Sequence, residues 1–244
     1  VNPSGGGMIA YCFTSKTGFS KVGSYTGNGS TSGPMVQTGF EPAFLLIKCT
    51  SNSGTSWRLM DNKRNTSNPR SKYLEPQSSA AEANYNQVNF YANGFQLITG
   101  DSSINGSGRT QIYLAFAADG STATPSLANS FATELYTGNG GTQSVTTGFK
   151  PDFTWIKDRV GTDNHHLFDS IRGVEMRIIS NLTDAQNLQT NSLTSFNTLG
   201  FSLGSNSGVN ASGENHVSWN WKAGGTPSIN TDGTTTSIVS ANQA

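Results

Sequence analysis

The chain has 244 residues, 34% of them hydrophobic and 12% charged, with a formal net charge of zero. That length suits two domains of ordinary size. Frequent aromatic and β-branched residues exclude a disordered chain, the zero net charge leaves no footprint for nucleic acid or an anionic membrane, and no apolar stretch approaches the roughly 20 residues of a membrane helix.

In chain order, the predicted elements are short strands separated by Gly, Ser and Asn turns. Ile9 to Phe13 is a short apolar, β-prone run. Tyr25 ends a strand, and Thr26-Gly27-Asn28-Gly29 makes a turn, because Gly and Asn accept positive φ. Phe44 to Lys48 is the most apolar run of the first half and is expected to be a central strand. Trp57 to Met60 follows, and the Asn93-Gly94 pair joins Phe90-Tyr91 to Phe95-Gln96-Leu97 as a hairpin. The second half repeats the series with Phe153 to Lys157 and His165 to Phe168, and closes on Val217-Ser218-Trp219-Asn220-Trp221. That last run alternates apolar and polar, so both tryptophans are expected on one side, in a core. No segment has a sustained helical period; Ser79 to Ala83 and Thr183 to Leu188 are candidates for one helical turn each.

The series is a duplication. Val1-Asn2-Pro3-Ser4-Gly5 returns as Ile104-Asn105-Gly106-Ser107-Gly108 and as Val209-Asn210-Ala211-Ser212-Gly213, each followed by an apolar run. Tyr25-Thr26-Gly27-Asn28-Gly29 matches Tyr136-Thr137-Gly138-Asn139-Gly140, Thr38-Gly39-Phe40 matches Thr147-Gly148-Phe149, and Asp61 to Arg64 matches Asp169 to Arg172. Blocks kept in one order at a near-constant period mean tandem units. The expected fold is all-β: two tandem jelly-roll-type β-sandwich repeats of about 105 residues. Residues 17–119 and 120–225 form the repeats. Residues 1–16 read as a strand in phase with the end of a preceding repeat, and 226–244 as a linker or docking tail.

Several of these blocks also resemble a tandem-repeat module of virion and tail-associated proteins of marine tailed bacteriophages. They are Tyr136 to Gly140, Thr147 to Arg159, Asp169-Ser170-Ile171-Arg172-Gly173, Gly200-Phe201-Ser202-Leu203 and Trp219 to Gly225. The resemblance covers nearly all of residues 9 to 225. It implies concanavalin-like or laminin-G-like sandwiches in long multi-unit proteins, and it carries no catalytic residues. The first unit departs from the pattern, with Trp57 near the place of His165 and Lys63 in place of Ile171.

The candidate ligand-binding residues are Trp57, Asp61, Arg64, His165, Asp169 and Arg172. An Asp and an Arg three apart in both repeats suit either a clamp on sugar hydroxyls or a structural ion pair at a loop. Trp57, Tyr73, Tyr85 and Tyr91 suit either a sugar-stacking platform or core filling. Adjacent His165 and His166 point to opposite faces of a strand, which argues against a shared zinc. Asp158, Asp163 and Asp169 offer calcium-type oxygens, but the first unit has Cys49 in place of Asp158. No metal, cofactor or catalytic residue is therefore assigned: a glycosidase needs two close carboxylates, whereas the acids here are few and most are not paired across the repeat, and no nucleophile elbow or phosphate loop appears. Cys12 and Cys49 are expected to be free buried thiols, with a disulfide as the alternative in an oxidising setting. The repeated Asn of the [Val/Ile]-Asn-x-Ser-Gly motif is expected to cap a turn and, although Asn105 and Asn210 fit the N-glycosylation pattern, to be unmodified.

The expected function is non-enzymatic: a virion-surface or tail-fibre-like structural protein, at the virion surface or extracellular, displaying loops for host-surface glycan. Neighbouring copies or virion proteins are the expected partners of strand 1–16 and tail 226–244. The alternatives are a purely structural filament, spacer or decoration subunit, and a secreted bacterial adhesin.

Overall fold

The computed structural model describes residues 7–117, 130–223 and 226–240. The first copy of the Asn motif (Val1 to Gly5), the boundary at 119/120 and Gly224-Gly225 lie outside the described residues. The first repeat runs β1 (Ser20–Thr26), β2 (Met35–Gln37), β3 (Pro42–Cys49), β4 (Arg58–Asp61), β5 (Arg70–Tyr73), β6 (Ala83–Tyr91), β7 (Gly94–Leu97), the helical turn α1 (Ser102–Asn105) and β8 (Thr110–Ala117). The second runs β9 (Phe131–Thr137), β10 (Gln143–Thr146), β11 (Phe153–Asp158), β12 (His166–Asp169), β13 (Met176–Ile179), β14 (Asn187–Leu188), β15 (Leu193–Asn197), β16 (Gly200–Leu203), α2 (Ser207–Asn210) and β17 (Asn215–Trp221). A hairpin of β18 (Ser228–Asn230) and β19 (Ser237–Val239) follows.

Each repeat is a sandwich of two antiparallel sheets, and the strand orders correspond. One sheet is β1-β8-β3-β4 in the first repeat and β9-β17-β11-β12-β13-β14 in the second; the other is β2-β7-β6-β5 against β10-β16-β15. The first strand pairs with the last and the second with the penultimate, which brings the ends of each unit together. One strand changes sheets. In the second repeat β13 pairs with β12, Leu167 opposite Ile178. In the first, only Leu74 keeps that place, bridging Leu59, while β5 crosses over to pair with β6.

Among the described residues, the two repeats form a stack of four sheets with three apolar layers between them. One layer lies inside the first repeat around Leu45, Ile47, Phe90 and Phe95. Another lies inside the second around Ile156, Phe168, Phe201 and Val209. The third joins the repeats: Phe44, Leu59 and Phe116 of the first pack against Phe131, Trp155, Trp219 and Trp221 of the second. This explains why β3, β11 and β17 are buried along almost their whole length. A strand covered on both faces reads as a near-continuous apolar run. The rings meet mostly edge to face, as their quadrupoles favour. Phe44 and Trp221 lie 5.5 Å apart at 83°, and Trp155 and Trp219 5.7 Å apart at 75°. The tryptophans do share one side, but they fill the seam between repeats and not the interior of their own sandwich.

Two local expectations are corrected. The helical turns do not form at 79–83 or 183–188; Ala83 opens β6 and Asn187–Leu188 is β14. They form at Ser102–Asn105 and Ser207–Asn210, where Asp101 and Asn206 accept the backbone N–H of Ser103 and Gly208 and so cap each turn. Residues 7–15 do not form the expected strand; an isolated bridge joins Lys16 to Ser20. Their aromatic side chains dock instead. Tyr11 stacks on Phe153 at 4.1 Å, and Phe13 lies 5.5 Å from Phe116 and 5.9 Å from Trp221. The segment therefore folds back onto the body, at the seam.

A shared core makes the two repeats one cooperative unit. We expect a single calorimetric transition, and a loss of about 3–5 kcal/mol on Trp219→Ala, the cost of emptying a buried aromatic site. Two separate transitions in the unaltered protein would show that the seam does not couple the repeats.

Candidate functional site

The two repeated motifs of the sequence are halves of one loop knot. Asn105 is fully buried at the end of α1. Its Nδ2 donates to Asn28 Oδ1, Ser30 O and Thr99 O at 3.1, 2.8 and 2.7 Å, while its Oδ1 accepts from Asn28 N at 2.9 Å. Asn210 repeats the pattern on Asn139, Gly141 and Gly204. The tyrosine that begins each Tyr-Thr-Gly-Asn-Gly block donates to the residue before the asparagine: Tyr25 to Ile104 O at 2.5 Å, Tyr136 to Val209 O at 2.7 Å. Gly27 and Gly138 are required by contact, since a Cβ there would lie 2.5 Å from Gly106 O and 2.1 Å from Ala211 O. Each asparagine thus ties three loops together, which exceeds the expected turn cap and leaves its amide no room for a glycan.

The Asp–Arg pairs are structural. Arg64 Nε donates to Asp61 Oδ2 at 2.6 Å, and Arg172 Nε donates to Asp169 Oδ2 at the same distance. In both, the other carboxylate oxygen accepts backbone N–H groups of the following turn. Both carboxylates are also reached by an aromatic donor. Trp219 Nε1 donates to Asp61 Oδ2 at 3.1 Å from the opposite repeat. The Tyr11 hydroxyl donates to Asp169 Oδ2 at 2.7 Å, and Arg172 Nη2 donates to that hydroxyl at 3.1 Å. Tyr11 and Trp219 hold the same place in their apolar runs, so the N-terminal segment does for the second repeat what β17 does for the first. Burial, and then the neighbouring Asp169 carboxylate, hold the Tyr11 phenol well above its usual range.

The first pair is extended by Glu82, which accepts from Arg64 of its own repeat at 3.1 Å and from Arg159 Nε and Nη2 of the other at 3.0 and 2.9 Å. His165 is likewise internal. Trp155 Nε1 donates to its Nδ1 at 2.9 Å, which leaves a neutral ring protonated at Nε2. Burial, and then the charges of Lys157, His166 and Arg64, push its pKa down to about 3. His166 is also pushed down to about 3, by burial and then by Arg177.

The six candidate residues therefore do not converge on one cleft. Asp61, Arg64, His165 and Asp169 are buried, the Arg172 side chain is 8% exposed, and Trp57 is half-buried beside Gln77, which accepts its backbone N–H at 3.1 Å. Tyr73 packs inward under Arg58, whereas Tyr85 and Tyr91 are exposed. Cys49 is buried as expected, but Cys12 is exposed, and both are free. Asp158 and Asp163 do come together, joined by Glu214, with carboxylate oxygens all within 4.8 Å. Asp169 is not among them: it lies opposite Phe153, at the other end of β11 from Asp158. Lys157 supplies a positive charge beside this group, donating to Asp158 O and Gly161 O, and Asp158 raises the Glu214 pKa by hydrogen bonding to it. A cleft of about 140 Å³ opens at the seam between Ala43, Asn62 and Lys63 of one repeat and Phe131 to Glu134 of the other. Sequence reasoning missed Tyr11, Glu82 and Arg159, whose partners lie in the other repeat; the only signal available was that Tyr11 aligns with Trp219.

Two outcomes follow from this chemistry. Asn210→Ala strands the groups it joins and should cost roughly 1–3 kcal/mol; a melting temperature equal to that of the unaltered protein would contradict the knot. The second concerns pH. Histidines with folded pKa near 3 and unfolded pKa near 6.5 take up protons on unfolding, so their contribution is complete above pH 6.5 and is lost as pH falls toward 3. The loss is about 1.4 kcal/mol per pH unit for each fully shifted histidine. Urea titrations at pH 7.5, 6 and 5 should show this slope, and His165→Gln should lower it by one histidine's share, about 1.4 kcal/mol per pH unit; an unchanged slope would remove His165 as a source.

A family model described as a domain of unknown function (DUF7483) matches the chain over residues 1–119 and 126–244. No curated protein and no solved structure matches it. The two matches agree with the duplicated sandwich and take in residues 1–16 and 226–244 along with the repeats. The chain belongs to the DUF7483 family, as a tandem pair of its domains.

Proposed function

We propose that the protein is a non-enzymatic surface component of virion or tail-fibre type, at the virion surface or extracellular, that presents its outer faces and loops to host-surface glycan. The observation that carries this reading is the seam. Fusing two sandwiches through a shared aromatic layer gives a rigid body, and it directs the remaining sheet faces and the knotted loops outward. Preorganised loops lower the ordering cost of binding. Weak sites on tandem units gain by avidity without new contacts. A chain with zero net charge and 12% charged residues leans on hydrogen bonds and stacking, which salt screens little.

A second reading, a spacer or decoration subunit, draws support from the candidate residues themselves, since most of them serve the seam. The exposed Ile229 and Ile238 of the β18–β19 hairpin also suit contact with neighbouring copies or virion proteins. A glycan array separates the two. The display reading expects the full chain to give specific signals that persist at about 0.5 M salt. A blank array at every salt concentration would favour the spacer.

A further inference from the structure

We propose that the outward face of the β2-β7-β6 sheet in the first repeat is a stacking platform for neutral hexose residues of a polysaccharide, with Tyr91 as its aromatic floor; this rests on the glycan-recognition reading above. The strand register sets two rows of side chains across the sheet. Met35 pairs with Gln96, and Gln96 with Asn89; Gln37 pairs with Gly94, and Gly94 with Tyr91. Their inward neighbours Val36, Phe95 and Phe90 are in the core, so by strand alternation these residues face out.

Tyr91 is held in place. Asn89 Nδ2 donates to its hydroxyl at 3.2 Å, and the hydroxyl donates to Gln96 Oε1 at 3.4 Å. Both partners belong to the neighbouring row, so the ring lies along the sheet, 41% exposed. Beside it Gly94 has no side chain, and a Cβ there would lie 2.0 Å from Val36 O. The row is therefore open between Tyr91 and Gln37, a span of two strand spacings or about 10 Å, wide enough for a pyranose. Asn93 Nδ2 donates to Gln37 Oε1 at 2.7 Å and fixes the far side.

The chemistry selects the ligand. An exposed aromatic face takes the apolar face of a sugar ring, and carboxamides offer both donors and acceptors to hydroxyls. Neither row contains Asp, Glu, Lys or Arg, so a polyanion finds no counter-charge. The second repeat provides an internal comparison. Its corresponding positions are Ser144, Ser202 and Ser195 in one row, and Thr146, Gly200 and Asn197 in the other. There Asn197 Nδ2 donates to Ser202 Oγ at 2.8 Å, Ser195 Oγ donates to Asn197 Oδ1 at 2.8 Å, and Ser144 and Ser202 lie 3.1 Å apart. The short side chains satisfy one another, and no ring is present.

The test is affinity electrophoresis of the full chain through gels containing a neutral glucan, mannan or galactan, with alginate as the acidic control. The unaltered protein should be retarded by at least one neutral polymer, and Tyr91→Ala should weaken that binding at least tenfold at an unchanged melting temperature. Gln37→Ala, which loses only the bond to Asn93, should weaken it several-fold, and Asn197→Ala should leave it intact. If Tyr91→Ala proves unfolded, Gln37→Ala decides the matter. Retained affinity in the decisive variant overturns the platform while the glycan reading stands. Retardation by alginate alone overturns the neutral-ligand assignment, and retardation by no polymer overturns both.

Discussion

The structure depends on one buried contact, the Trp219 indole against the Asp61–Arg64 ion pair of the opposite repeat. Trp219 is fully buried, its N–H reaches Asp61 Oδ2, and the Arg64 guanidinium lies 5.4 Å from its ring centre. A buried ion pair is tolerable only when its remaining donors and acceptors are satisfied. Here backbone N–H groups, Leu59 O, Glu82 and the indole satisfy them. The contact is thus apolar packing and charge compensation at once. The aromatic layer excludes water, which strengthens the pair, and the pair gives the indole N–H a partner that it would otherwise lack.

The duplicated architecture was legible in the sequence because its signals are local. Alternation in Val217 to Trp221 gave a strand, the Asn93-Gly94 pair a hairpin, and ordered blocks at a constant period gave two like sandwiches. The meaning of the Asn motif was only half legible. A capped turn is a local event, whereas Asn105 acts on loops 77 residues away. The helical turns were misplaced for the opposite reason. Four residues carry no period, and only the capping Asp101 and Asn206 marked them.

The site was less legible, because the sequence of a strand shows which residues share a face but not what that face meets. The spacing of Asp61 to Arg64 and of Asp169 to Arg172 correctly brings each pair together. It carries no information on whether the pair points to solvent or to another sheet. The same holds for the Trp219 and Trp221 face, whose alternation fits a sandwich interior and a seam equally. The N-terminal segment shows the physical limit most clearly. Its apolar run is in phase with a closing strand, yet among the described residues it joins no sheet, although β1 and β9 are edge strands. Tyr11 and Phe13 reach the seam through side chains, on Phe153, Phe116 and Trp221.

Comparison of the repeats separates scaffold from specialised surface. The positions kept in both are those that close the unit: the asparagine knot, the glycine beside it, the Asp–Arg pair, and Phe44 with Phe153. The positions that differ fall into two classes. Some differ because the seam is not exactly symmetric. Leu114 stands where Trp219 stands and has no side-chain donor, so the donor to Asp169 comes from Tyr11. Glu82 completes Arg64, whereas Arg172 Nη1 has no hydrogen-bond partner. Others answer no packing demand. Met35, Asn89, Tyr91 and Gln96 face away from every core, and the residues at their counterparts are serines and an asparagine that fold just as well. An exposed strand tolerates either set at little cost in stability, because surface substitutions usually lie within about 0.5 kcal/mol. A tyrosine held by two hydrogen bonds on such a face answers no packing demand, and that is the observation on which the proposed platform rests.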